Sequence, residues 1–160
     1  MPNSSDDPLA PHAHEPNPDP PSSDASFMVQ LSDGRCLGCS PELLKSLPRS
    51  VSANVFIVST GHGTSGPFRF EGVTLADFMA FLGLGEAFSK LEIVSEDGFG
   101  TRVTKGELEK NDPLSPILLA DRIDNRPLSR RAGLLRLIVP SERDDALRQV
   151  KWVYRIRLLI

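Results

Sequence analysis

The chain has 160 residues, a formal net charge of −3 and 39% hydrophobic residues, a balance typical of one soluble globular domain. Two cysteines are too few for a disulfide scaffold, and the bases are too diffuse and too poor in interleaved aromatics for a nucleic-acid surface. No apolar run approaches the length of a membrane span, so the expectation is a soluble, cytoplasmic protein with no membrane or nucleic-acid partner.

Residues 1–26 stand apart from the rest. They hold seven prolines, five acids, no Lys or Arg, and Leu9 as their only aliphatic anchor. Such a segment cannot bury enough apolar surface to offset its ordering entropy, so it is expected to be disordered. The folded domain is expected over 27–160, and a chain starting near Ala25 should melt within a few degrees of the full one. Without the tail the body carries 16 acids against 18 bases. Nine of those bases fall in 126–160 against three acids, a mild excess compatible with a small anionic ligand.

Phe27–Leu31 reads as a strand, and Asp33-Gly34 as a two-residue hairpin turn into Arg35-Cys36-Leu37. Ser40-Pro41-Glu42 supplies an N-cap, a proline at the first helical position and an acid; Pro48 ends that short helix. Cys36 and Cys39 form a single C-x-x-C, with no second pair to complete a zinc site. They do not open a helix as a redox pair should, so two small half-buried thiols are expected.

Val51–Val58 is a long apolar strand leading into Ser59-Thr60-Gly61-His62-Gly63-Thr64-Ser65-Gly66-Pro67. Gly61, Gly63 and Gly66 spell G-x-G-x-x-G, but Pro67 and the alternating Phe68-Arg69-Phe70 follow where a dinucleotide fold needs a helix. A glycine-rich turn between two strands is the plain reading. A nest of N–H groups for an anion is the functional one.

Thr74-Leu75-Ala76-Asp77 approximates a capping box, and Leu75, Phe78, Met79 and Leu82 fall on one helical face ending at Gly83. Leu91–Ser95 and Thr101–Val103 pair across the turn Glu96–Gly100. Thr104 and Glu107 cap a single helical turn closed by Asn111-Asp112-Pro113. Ile117–Ile123 ends at the turn pair Asp124-Asn125, and Leu134–Val139 and Val150–Ile160 are the last strands. In the final one Trp152, Tyr154, Ile156, Leu158 and Ile160 are expected inside, with Arg155 and Arg157 outside. Many strands with about three short helices argue an α+β fold of mixed sheets.

Four stretches together resemble the molybdopterin-binding domain of the sulfite oxidase family. Gly72-Val73-Thr74-Leu75-Ala76-Asp77-Phe78-Met79 is similar to its G-V-P-L-x-D-L-L segment, and Glu96-Asp97-Gly98-Phe99 to its D-G-Y turn. Leu118-Leu119-Ala120 through Pro127-Leu128 matches L-L-A…x-P-L. Gly133 to Pro140 followed by Val150-Lys151-Trp152 resembles the ending G-x-x-R-x-x-V-P…V-K-W.

The resemblance implies a pterin cleft near the glycine loop, with Gly61, His62, Gly63, Thr64, Ser65, Gly66, Asp97, Arg136 and Lys151 as its candidate residues. It also implies a molybdenum centre held by one protein thiolate just after the strand that leads into the loop. That position falls near Ser59 or Thr60, neither of which carries sulfur, and Cys36 and Cys39 do not match the motif. The segment Ser141–Gln149 also lacks the family's usual glycine. No catalytic residue and no metal ligand is therefore assigned.

Three functions follow. One is a binding module for a small anionic or pterin-type ligand, with molybdopterin or another pterin as the cofactor. Another is a molybdopterin-dependent oxidoreductase working without a protein thiolate. The third is a non-catalytic interaction domain. Arg136 as a cross-sheet ion pair and Lys151 as a solvated strand residue are their plain structural readings.

Overall fold

The computed structural model describes residues 24–59, 63–84, 88–110, 114, 116–140 and 149–160. Most of the tail, the loop residues Thr60, Gly61 and His62, the expected stop at Asn111–Pro113 and most of Ser141–Gln149 lie outside the described residues. Two five-stranded sheets carry the rest. In the first, β1 (Phe27–Gln30) pairs with β2 (Cys36–Cys39), and also runs parallel to the C-terminal β10 (Val153–Leu159). Beyond β10 follow β5 (Lys90–Ser95) and β6 (Gly100–Thr104), both antiparallel. In the second, β3 (Ser50–Ser59), β4 (Gly63–Thr74), β7 (Leu118–Ile123) and β8 (Arg126–Pro127) lie in order, and β9 (Arg136–Ile138) also pairs with β7.

Three short helices sit between strands, each where a cap predicts it. The Ser40 side chain accepts the Leu43 N–H to open α1 (Pro41–Ser46). Thr74 does the same for Asp77 at α2 (Leu75–Phe81), and Gly83 closes that end with φ +72°. Thr104 and Glu107 complete a reciprocal capping box at α3 (Lys105–Glu109). Such a cap stabilises by about 1 kcal/mol, enough to decide a helix of one turn.

The large core lies between the sheets and collects Val29, Ile93 and Ile156 from the first, with Phe78 from α2 and Leu119 and Leu137 from the second. A smaller cluster lies on the other face of the second sheet, with Val55, Phe70, Leu118, Ala120 and Ile138 among its members. Burial on both faces is why β7 opens on the apolar run Leu118-Leu119-Ala120 instead of alternating.

Three expectations change. The first hairpin has a three-residue turn, not two: Leu31 N–H donates to Arg35 O at 2.8 Å, and Gly34 takes φ +91°. The Asp33 carboxylate stiffens it by accepting the Arg35 N–H, which holds that carboxyl below its ordinary pKa. The glycine-rich stretch is largely strand among its described residues: Gly63, Thr64 and Ser65 pair with Ser59, Val58 and Ile57. In β10 the ladder shifts between Val153 and Arg155, which inverts the side-chain parity at the start of the strand. Val153 is therefore buried while Tyr154 faces out, and the terminal Ile160 is exposed.

The two cysteines stand three residues apart on one strand, Cys36 exposed and Cys39 buried. An extended strand separates their Cα atoms by about 10 Å, beyond the reach of a disulfide. Burial also raises the Cys39 thiol pKa, which keeps it protonated and slow. An alkylating reagent should therefore label Cys36 in the native protein and both thiols only after unfolding, as mass spectrometry will read. Equal native rates would contradict this arrangement.

Candidate functional site

Arg136, the first residue of β9, is the centre of the candidate site. Its chain neighbours Leu135 and Leu137 turn into the large core, so alternation sends Arg136 to the other face. There it is the largest fully buried side chain of the described residues, 2% exposed. Its Nη1 donates to Ala132 O at 3.3 Å, and its guanidinium carbon stands 5.9 Å from the centre of the Phe70 ring. An interior arginine is costly to desolvate, and this one lies against apolar Phe70 and Ala120. A guanidinium is a planar fork of the shape that carboxylate and phosphate groups match.

A tight crossing of two segments brings Lys151 alongside. Gly133 O accepts the Trp152 N–H at 2.9 Å, and Leu135 O accepts the Val153 N–H at 3.0 Å. The Trp152 indole N–H donates to Arg130 O at 2.6 Å, locking the ring beneath the chain. Lys151 Nζ then sits 4.8 Å from that ring's centre, a cation–π contact that positions its charge. Leu134 at φ +59° and Trp152 at φ +48° show how sharply both segments bend here.

Gly133 makes the crossing possible. It has φ +114°, and a Cβ there would lie 2.9 Å from Lys151 Cβ and 3.2 Å from Arg136 Cγ. Gly133→Ala should therefore cost about 1–3 kcal/mol through backbone strain and overpacking. It should also displace both cations together, so ligand affinity falls along with the melting point. Unchanged stability in thermal unfolding would contradict the fit.

The remaining candidates stand differently. Asp97 lies on the exposed turn between β5 and β6, its carboxylate accepting the Phe99 N–H at 3.0 Å. The turn touches the crossing through its neighbour, since Glu96 N–H donates to Trp152 O at 3.1 Å. Ser65 and Gly66 belong to the β3–β4 hairpin. Gly66 takes φ +120° where a Cβ would meet Val55 O at 2.7 Å. Gly63 and Thr64 are ladder residues of the same hairpin, while Gly61 and His62 fall outside the described residues.

Three neighbours of the candidate site carry no signal of it in the sequence: Phe70, one of an alternating pair, Gly133 as a packing residue, and Gln149. Gln149 is 6% exposed and sits directly before the Val-Lys-Trp triplet. Among the described residues no three His, Cys, Asp or Glu side chains group as a metal ion would need. The chain's two cysteines both lie on β2 of the other sheet, so neither stands at the end of β3. No helix of the described residues is long and apolar enough to cross a membrane.

The fold is similar to that of the sulfane dehydrogenase SoxCD from Paracoccus pantotrophus, with a TM-score of 0.67 at 19% identity. That match covers 84% of this chain but only 38% of the other, so this chain spans well under half of its length. No curated protein matches the chain. The family model described as oxidoreductase molybdopterin binding domain matches residues 35–159, from the turn before β2 to the end of β10. The chain belongs to the oxidoreductase molybdopterin-binding domain family.

Proposed function

We propose that the domain binds a small anionic, pterin-type ligand at the corner formed by Arg136 and Lys151, without a protein thiolate for a metal. The observation that carries this reading is Arg136, a guanidinium 2% exposed on an apolar face, with Lys151 brought beside it through Gly133. A charge so desolvated favours an anion more than a surface arginine would. Arg136 and Lys151 fit the acidic part of a molybdopterin.

The metal part fits less well. By sequence, the position where the family carries its thiolate falls near Ser59 or Thr60, and a hydroxyl is a poor partner for a soft, thiolate-preferring site. Molybdopterin, when bound, supplies a centre for oxygen-atom transfer. The chain's own share is to hold its acidic group with Arg136 and Lys151 and to keep water from the ring. Sulfite or sulfoxide turnover is therefore expected to be absent or feeble.

Calorimetric titration of the full chain with pyrophosphate and with 6-carboxypterin tests the reading. Saturable one-to-one binding of both probes is expected, weakening as salt rises. No heat from either probe would leave the domain as an interaction module.

A further inference from the structure

Val150 forms an antiparallel bridge with Leu137: Leu137 N–H donates to Val150 O at 2.9 Å, and Val150 N–H to Leu137 O at 3.3 Å. Both side chains join the large core. Alternation then turns the flanking residues to the opposite face, Arg136 and Ile138 on β9, with Lys151 and Gln149 across from them. Ile138 in the smaller cluster and Arg136 over Phe70 agree with that placement. Gln149 is 6% exposed, and among the described residues neither its Oε1 nor its Nε2 has a hydrogen-bond partner. Buried polar atoms are nearly always paired, and here both ends of one carboxamide are left over. A carboxamide presents an acceptor and a donor side by side, which matches a ring edge with one N–H and one C=O.

We infer that the Gln149 carboxamide reads such a ring edge, the 2-amino-4-oxopyrimidine type, on the ligand whose acidic group Arg136 and Lys151 hold. The inference rests on the reading of that pair as an anion site. Gln149 stands diagonal to Arg136 across the bridge, with about 7–8 Å between their backbones. One small molecule can therefore meet both, ring edge at Gln149 and acid at Arg136. Pterins and guanine nucleotides share this edge, and the two sources are separable by titration.

The full chain and its Gln149→Met variant are titrated with pyrophosphate, 6-carboxypterin and guanosine monophosphate. Methionine keeps the length and flexibility of glutamine but removes both orphaned polar atoms. The variant should bind 6-carboxypterin about tenfold more weakly, the loss of one well-made polar contact, and pyrophosphate as before. Its ligand-free melting point should rise by about 4 °C, since a buried amide without partners destabilises. Gln149→Leu, which removes the same two polar atoms in a different shape, should weaken 6-carboxypterin as well. The same dependence seen with guanosine monophosphate alone would support the ring-edge role and make the ligand a purine nucleotide. Unchanged 6-carboxypterin affinity in both variants, with pyrophosphate still bound, would overturn the role of Gln149 alone. Absence of pyrophosphate binding in the unmodified chain would overturn the anion site and this inference with it.

Discussion

Replacing Gly72 by alanine should cost the domain about 3–5 kcal/mol and lower its melting point by more than about 10 °C. The cause is backbone against backbone. A Cβ at Gly72 would lie 1.9 Å from Leu119 O and 2.7 Å from Ala120 Cα. The ladder between β4 and β7 shifts register at Glu71 and Gly72, and the two strands close on each other there. No side-chain rotation can relieve that contact, so the strands must part. Ala120 is also the register partner of Arg136, which means that parting β4 from β7 disturbs the base of the site. Gly106 in α3 is the matching control, because the nearest atom to a Cβ there is 3.9 Å away. Gly106→Ala should be neutral or stabilise by a few tenths of a kcal/mol through helix propensity. Denaturant unfolding followed by circular dichroism measures both. A loss below about 1 kcal/mol at Gly72 would mean that β4 and β7 spread freely, contrary to the packing described.

Arg136→Ala should weaken binding of pyrophosphate or 6-carboxypterin by about tenfold or more, the loss of one charge-assisted contact. Truncation removes a desolvated cation and leaves a cavity, two effects of opposite sign on stability, so affinity is the informative reading. Arg136→Lys keeps the charge and loses the fork, and should recover only part of the affinity. Arg157→Ala is the control for general electrostatics. Arg157 lies on the first sheet, with its side chain 43% exposed and Nη1 3.9 Å from Glu92, and it takes no part in the crossing. Its loss should change affinity by less than about twofold, since exposed pairs contribute little. Equal losses for Arg136→Ala and Arg157→Ala would show that only the summed charge matters.

The helices were legible because their signals are local. Ser40, Thr74 and Thr104 each satisfy an N–H within three residues, and no distant contact overrides them. The strands were legible where burial is one-sided or complete, as in β5 and β7. Misreadings came from backbone irregularities that side-chain patterns do not encode. The bulge between Val153 and Arg155 turned Tyr154 outward, and the paired residues Gly63–Ser65 moved a supposed loop into a strand. The two-residue β8 followed from Asp124 and Asn125, both at positive φ, in a tight turn that returns the chain along Ile123.

The site was legible in part for the same reason. Arg136 and Lys151 stood out through family motifs, and they meet at one crossing. What brings them together is long-range: Gly133 O bonded to Trp152 N–H, over a separation that no periodicity spans. Gln149 carried no signal at all until its register opposite Ile138 became visible. Phe70 was one member of an alternating pair until Arg136 was found over its ring.

Fluorescence of pterin released by acid, together with elemental analysis for molybdenum, on the full chain purified from its native host, tests the central claim most directly. A pterin is expected to be recovered with the unmodified chain and lost from the Arg136→Ala variant, with molybdenum well below one atom per chain. Absence of any pterin would contradict the ligand proposed for the Arg136 corner, and one molybdenum per chain would contradict the reading of Ser59 and Thr60.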